Sequence, residues 1–250
     1  MILIKALPLI LKCLDNMKTV AIITARGGSK RIPRKNIKEF LGKPILAYSI
    51  QAALLSGCFD EVMVSTDDEE IANLAEQFGA VVPFRRNPDT ADDHSTTADV
   101  IAEVLGMYKD HGKEFTYACC IYPTAPFVTA ETLQKAFTVL KEKDSDSVIP
   151  VTEFSFPILR SFKMDEASKI SFNWPEFALT RSQDLPAFYH DCGQFYFIEV
   201  SRFLKTRKLV TENTASIILP NTEVQDIDNE EDWKLAEIKY SFLLQKKASQ

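Results

Sequence analysis

What these 250 residues lack narrows the field first. Neither GxxxxGK[ST] nor GxGxxG occurs, which removes a P-loop nucleotidase and leaves a dinucleotide-binding reading without its signature. The five cysteines, Cys13, Cys58, Cys119, Cys120 and Cys192, are odd in number and form no CxxC pair. A disulfide framework or a zinc ribbon is therefore not indicated, and reduced thiols in a cytoplasm fit better. Excess positive charge is absent too: the formal net charge is −6, whereas a duplex nucleic-acid partner normally wants a basic surface. The apolar stretch from Met1 to Leu14 contains Lys5 and Lys12 and lacks a small-residue cleavage site. It falls short of the roughly 20 residues that cross a bilayer, so no membrane association is expected. Residues 1–16 read as an N-terminal extension outside the fold, with translation starting at Met17; a weak signal segment is the alternative. No internal repeat, low-complexity segment or long linker is present.

What remains is a chain with 46% hydrophobic residues, enough for one sizeable core. Val20–Ile23 is a short apolar run, as expected of a strand buried on both faces. Pro44 to Leu55 has helical spacing, with Gly57 placed to cap it. Glu61–Ser65 reads as a strand, and Thr66 or Asp67 can cap a helix running to Phe78. Val81–Phe84 reads as a third, Pro-interrupted strand. Thr97–Tyr108 is helical in period, Tyr117–Tyr122 is strand-like, and a helix follows near Thr129–Lys143. Ser147–Thr152, Gln194–Val200 and Ser216–Leu219 complete the strands, and Glu230–Leu244 is a closing helix. Such alternation predicts an α/β fold with a mainly parallel sheet covered on both faces. The alternation breaks at about 153–192, where Pro157, Pro175, Pro186 and scattered aromatics predict an inserted element within a single domain spanning 17–250.

Six cations crowd into thirteen residues: Arg26, Lys30, Arg31, Arg34, Lys35 and Lys38. Gly27-Gly28 stands at the exit of the first strand. Glycines there let backbone N–H groups approach an anion, and ligands bind at the C-terminal edge of parallel strands. Clustered cations on an acidic chain predict a small polyphosphate ligand, with a solvated basic turn as the alternative. Asp226-Ile227-Asp228 precedes the last helix. In extended backbone residues two apart share a side, so both carboxylates can reach one hard cation such as Mg²⁺; a helix-capping turn is the alternative. His190-Asp191-Cys192 imitates a thiol nucleophile with its base, but neighbours on a strand face opposite ways. Cys119-Cys120 reads as core. Asp67-Asp68-Glu69-Glu70 reads as an acidic helix start that complements the helix dipole.

The run Ala25-Arg26-Gly27-Gly28-Ser29-Lys30, five residues and then Asn36 resembles the signature of the acylneuraminate cytidylyltransferases. The resemblance extends from about Lys18 to Glu237. Within the family it is nearest to the pseudaminic acid branch, on Phe40-Leu41-Gly42-Lys43-Pro44-Ile45, Val64-Ser65-Thr66-Asp67-Asp68-Glu69-Glu70-Ile71-Ala72, Tyr122-Pro123-Thr124-Ala125-Pro126-Phe127 and Arg181-Ser182-Gln183-Asp184-Leu185. Separated blocks in order are more specific than any one motif.

That resemblance implies a three-layer Rossmann-like nucleotide-diphospho-sugar transferase fold whose inserted element mediates a homodimer. It implies CMP transfer from CTP to the anomeric hydroxyl of a nine-carbon nonulosonic acid, with Mg²⁺, for surface-glycan or flagellin glycosylation. Ala25, Arg26, Gly27, Gly28, Ser29, Lys30, Lys35, Asn36, Ser95, Thr96 and Thr97 would bind the nucleotide. Tyr122, Thr124, Arg181, Gln183 and Gln194 would lie along the sugar, Asp226 and Asp228 would hold the metal, and Arg26, Lys35 and Asp228 would be catalytic. Many sialic acid relatives carry Gln-Pro-Thr where this chain has Tyr122-Pro123-Thr124, which points away from ordinary sialic acid and toward pseudaminic acid. CMP-N-acetylneuraminate or CMP-legionaminate synthesis is the alternative within the family. The rivals outside it are a glycosyltransferase using Asp226-Ile227-Asp228 as a DxD motif, and a nucleotide-binding regulatory module without catalysis.

Overall fold

The computed structural model describes residues 18–87, 90 and 95–248. The expected extension at 1–16 and the start at Met17 lie outside the described residues. The chain opens with β1 (Thr19–Thr24), and the short strands β2 (Glu39–Phe40) and β3 (Lys43–Pro44) lead into α1 (Ile45–Ser56). β4 (Glu61–Ser65), α2 (Glu69–Gln77), α3 (Thr97–Asp110), β5 (Tyr117–Ile121), α4 (Ala130–Glu142) and β6 (Ser147–Glu153) follow. Next come β7 (Phe162–Met164), β8 (Ile170–Phe172), β9 (Tyr189–Asp191), β10 (Phe195–Glu199), α5 (Val200–Thr206), β11 (Thr214–Ile218) and α6 (Glu230–Ala248).

The main sheet has the order β11-β6-β10-β5-β1-β4, with β9 paired to β6. β1 is parallel to both β4 and β5, β11 is parallel to β6, and β10 is antiparallel to its two neighbours. Only β10 and β9 therefore oppose the common direction, in line with the mainly parallel sheet expected. The side chains of β1 alternate across the sheet. Ala21 and Ile23 pack with α1, α2 and α4, while Val20 and Ile22 pack with α3 and α5. All four are fully buried, which makes the domain three layers deep. Among the described residues no helix is long and apolar enough to cross a membrane.

Local chemistry sets the element ends. Gly57 closes α1 in the left-handed region at φ 63°, as its position predicts. Asp68, rather than Thr66 or Asp67, caps α2: its carboxylate accepts from Ile71 N at 3.0 Å. Thr66 supports the cap one step earlier by accepting from Asp68 N. The strand expected at Val81–Phe84 reduces to a single bridge between Val81 and Met63. Pro83 has no N–H to continue a ladder. Only part of segment 153–192 is inserted outside the sheet. β7 and β8 form a separate exposed hairpin, whereas β9 returns to the main sheet.

The helix-covered face beneath β10 is filled by stacked rings. Phe197 is fully buried and stacks on Phe59 and Phe137, with centroids 5.7 and 5.5 Å away. A second cluster joins Ile32, Phe40 and Tyr48 to Trp233 and Ala236 of α6, so the last helix locks the segment that follows β1. Phe197→Ala should destabilise the protein by about 3–5 kcal/mol, read from urea unfolding, because it leaves a cavity between two rings that cannot close on each other.

Candidate active site

β1, β4 and β5 end side by side at Thr24, Ser65 and Ile121. Their C-terminal edge is where an open α/β sheet presents ligands. Beyond β1, Ala25 stays buried and donates to Ser65 O, which carries the backbone straight off the sheet. Gly27 N then donates to Asp67 Oδ1 at 2.9 Å. A Cβ on Gly27 would lie 2.8 Å from Asp68 Oδ2, so only glycine fits against this pair of acids. Ser29 donates its hydroxyl to Ile32 O, and fully buried Ile32 anchors the loop. Asn36, also buried, closes the loop by donating to Arg26 O at 2.8 Å.

The six clustered cations divide into two groups. Arg34 adopts a left-handed conformation at φ 54° and gives its guanidinium to Asp68 at 2.5 and 3.1 Å and to Glu70. That bond holds Asp68 below the usual carboxylate range. Lys38 pairs with Glu230 at 2.7 Å and lies over the Trp233 ring. Arg26, Lys30, Arg31 and Lys35 instead line one cavity of about 550 Å³. Lys35 also donates to Ile227 O at 2.7 Å. Burial lowers its pKa, and the charges of Asp228 and Asp226 pull the other way.

The far wall of that cavity is formed by Arg86, Thr90, Ser95, Thr97 and Val100, and its floor by Tyr122, Pro123 and Thr124. Arg86 was not expected from sequence, because one arginine in a loop after Phe84 carries no periodic signal. It is 6% exposed and donates to Ser65 through Nε and Nη2 at 3.1 and 2.8 Å. Desolvation lowers its pKa, so an anion or a carbonyl in the cavity would meet a cation held largely out of water.

The loop carries Arg31 and Lys35 to the segment Asp226–Asp228. Arg31 pairs with Asp228 at 2.7 Å. Burial and the neighbouring Asp228 raise the pKa of Asp226. The Cβ position of Gly193 lies 3.7 Å from the Asp226 carboxyl carbon, so the backbone there leaves room around the carboxylate. Two carboxylates whose charges oppose each other fit a hard divalent cation completed by phosphate and water oxygens. Among the described residues no group of three or more metal-ligating side chains occurs, so such an ion would draw its further ligands from substrate or solvent.

Of the residues expected at the nucleotide, Arg26, Ser29, Lys30, Lys35, Asn36, Ser95 and Thr97 line the cavity, as do Tyr122 and Thr124 from the sugar set. Ala25, Gly27 and Gly28 contribute backbone shape. Thr96 does not line it: it caps α3 in a reciprocal box with Asp99, which uses its hydroxyl. Gln194 does not line it either. It is 1% exposed, its Nε2 donates to Glu223 O, and its backbone carbonyl accepts from Tyr122 N. Its position links the cavity floor to the carboxylate segment. Arg181 and Gln183 lie on the exposed insert, away from this cavity; Arg181 pairs with Asp184 at 2.7 Å. β9 ties the insert to β6 of the main sheet, and no residue of 153–192 is among those lining the cavity.

A cation-lined cavity at the strand ends, flanked by paired carboxylates, defines an α/β enzyme that handles a phosphorylated nucleotide. Comparison with known proteins agrees: the cytidylyltransferase family model matches residues 20–215. The chain belongs to the cytidylyltransferase family and is a nucleotidyltransferase. It is 39% identical over 224 residues to the pseudaminic acid cytidylyltransferase of Campylobacter jejuni, covering 90% of this chain and 97% of that protein. It is 32% identical over 228 residues to the CMP-N,N'-diacetyllegionaminic acid synthase of Legionella pneumophila, covering 88% and 95%. A solved CMP:2-keto-3-deoxy-manno-octonic acid synthetase structure shares the fold with a TM-score of 0.65 at 17% identity, over 91% of this chain and 99% of that one.

The acids beneath the loop generate a pH test. Asp68 has a lowered folded pKa, so its pairing stabilises the protein above the unfolded value of about 3.9 and is lost as pH falls through the folded value. Asp68→Asn should cost roughly 1 kcal/mol at pH 7, discounted for partial exposure, and the gap to the parent should shrink below about pH 4 in denaturant titrations. Gly27→Ala should keep the fold but weaken nucleotide binding about tenfold by calorimetry, since the new methyl must push the loop off Asp68.

Proposed function

We propose that this enzyme transfers CMP from CTP to the anomeric hydroxyl of a nonulosonic acid, pseudaminic acid, releasing pyrophosphate. The observation that carries the reading is the convergence of Arg26, Lys30, Arg31 and Lys35 on one cavity, beside Asp226 and Asp228. Nearly end-to-end similarity to a protein named for pseudaminic acid supports the choice of sugar. The legionaminic acid relative, at lower identity, keeps the related nine-carbon acids in the substrate panel.

The cations would bind and neutralise the triphosphate, and Arg26 and Lys35 would stabilise charge on the transferring phosphoryl group. Asp226 and Asp228 would hold Mg²⁺, which supplies electrostatic stabilisation of phosphate oxygens when bound. Arg86, held by Ser65, would face the base or its ribose. The cavity opens at the sheet edge, so the sugar would enter over Tyr122 and Thr124. Reaction in the cytoplasm fits the supply of CTP and the unpaired cysteines.

We read the insert as a surface for a second copy of the chain. Phe156 is 83% exposed, Met164 68% and Ile170 58%, an apolar display that a partner surface would cover. Arg181 and Gln183 would then meet sugar only across such an interface.

Lys35→Ala should lower kcat/KM by at least about 100-fold in a pyrophosphate-release assay with CTP and a panel of nonulosonic acids. Near-normal turnover would remove the phosphate role of Lys35. Product formation from a CMP-sugar, with CMP released instead of pyrophosphate, would favour a glycosyltransferase; CTP binding without turnover would favour a regulatory module.

A further inference from the structure

Asp226 and Asp228 stand on a stretch of chain without regular structure. From Val224 to Asp228 the backbone is neither helix nor strand. Val224 and Ile227 are buried in two separate apolar clusters, which anchors the stretch at two points. Its main chain is held by side chains from elsewhere. Gln194 Nε2 donates to Glu223 O at 2.7 Å. Lys239 Nζ, on α6, donates to Val224 O at 2.7 Å and to Gln225 Oε1 at 3.0 Å. Lys35 donates to Ile227 O, and the Asp232 carboxylate accepts from Asp228 N and Asn229 N.

Two successive carbonyls just before Asp226 are thus gripped from two elements, one from the start of β10 and one from α6. Neither gripping side chain lines the cavity. Gln194 carries a further sign. Its Oε1 is buried and has no hydrogen-bond partner among the described residues. An apolar side chain of similar length would avoid that cost, so packing alone does not account for a glutamine here, whereas the bond to Glu223 O does. The backbone oxygen of Gln194 accepts from Tyr122 N at 2.8 Å, so one residue joins the cavity floor to the carboxylate stretch. Its neighbour Gly193, at φ 61°, leaves the space beside the Asp226 carboxylate open.

We propose that Gln194 and Lys239 are positioning residues that hold Asp226 and Asp228 beside the cavity in the geometry a divalent cation requires. The inference rests on the reading of these two aspartates as the metal pair. Mg²⁺ demands near-ideal octahedral ligand placement. In a helix or strand the backbone's own hydrogen bonds would fix two carboxylates; here side chains from other elements supply that constraint. Loss of either grip therefore costs metal affinity. The cation-rich loop is anchored separately, through Ser29 to Ile32 O and Asn36 to Arg26 O, and keeps its hold on the nucleotide.

The test measures CTP affinity by calorimetry in EDTA and again in saturating Mg²⁺, for the parent, Gln194→Met, Lys239→Met and Asp228→Asn, after thermal unfolding has shown that each is folded. The gain in affinity that Mg²⁺ brings reports on the metal without turnover. Gln194→Met and Lys239→Met should each lower that gain about tenfold and leave the affinity in EDTA within about twofold of the parent, while Asp228→Asn abolishes the gain. Retention of the full gain by either methionine variant overturns the proposal. Equal weakening in EDTA and in Mg²⁺ overturns it too, because the two residues would then serve the nucleotide pocket or the fold at large. If one variant is unfolded the other decides, since the grips come from separate elements. A parent with no gain, matching Asp228→Asn, overturns the metal reading itself and the proposal with it; a parent gain that both methionine variants keep overturns the positioning role alone.

Discussion

One carboxylate, Asp68, ties the sheet to the cation-rich loop. It accepts from Ile71 N to start α2, receives the Arg34 guanidinium, and packs so closely on Gly27 that no side chain fits between them. Asp67 takes the Gly27 N–H beside it. A loop with six cations repels itself, and these acids supply the opposite charge from the far side. Asp68 pairs with Arg34, Glu230 pairs with Lys38, and the other four cations line the cavity. The ion pair is partly exposed, so its contribution to stability is modest. Its larger effect is geometric, since three separate contacts on one short side chain determine where the loop can lie.

The other border of the site is built from residues nearly two hundred positions away. Lys35 reaches Ile227 O, Arg31 reaches Asp228 and Lys38 reaches Glu230. Beneath them Phe40 and Trp233 meet edge to face at 5.6 Å, so the polar contacts rest on a packed apolar base. The carboxylate segment is thereby held beside the cations, and Asp226 is kept near a second charge of its own sign, Asp228. That arrangement costs folding energy in the protein alone. It makes sense as a place for a divalent cation and a polyphosphate, whose charges would offset each other and the protein's.

Periodic patterns were legible before the structure. The alternation of Val20–Ile23 across the two sheet faces, the Gly57 cap and the strand at Tyr117–Ile121 all follow from local chemistry that nearby residues carry. The Pro-interrupted strand at Val81–Phe84 shrinks to one bridge, because Pro83 removes a backbone donor and so ends the ladder rather than merely interrupting it. Thr96 was assigned to the nucleotide, yet the Thr96/Asp99 spacing is that of a helix cap, which is where its hydroxyl goes. Gln194 and Arg86 reverse each other's fates. The glutamine, at the head of a strand-like run, is buried against Glu223, while the arginine, in no motif, lines the cavity and donates to Ser65.

The amino-acid sequence by itself determined the layered α/β class, the cation-rich exit from the first strand and the paired aspartates before the last helix, because each depends on spacing along a few residues. Tertiary structure alone decided which cations line the cavity, since Asp68, Glu70 and Glu230 arrive from other elements to draw Arg34 and Lys38 away from it. It also decided what surrounds Tyr122: its hydroxyl lies 2.9 Å from Thr97 Oγ1, and its ring meets Tyr196 edge to face, a neighbour that only the pairing of β10 with β5 brings within reach.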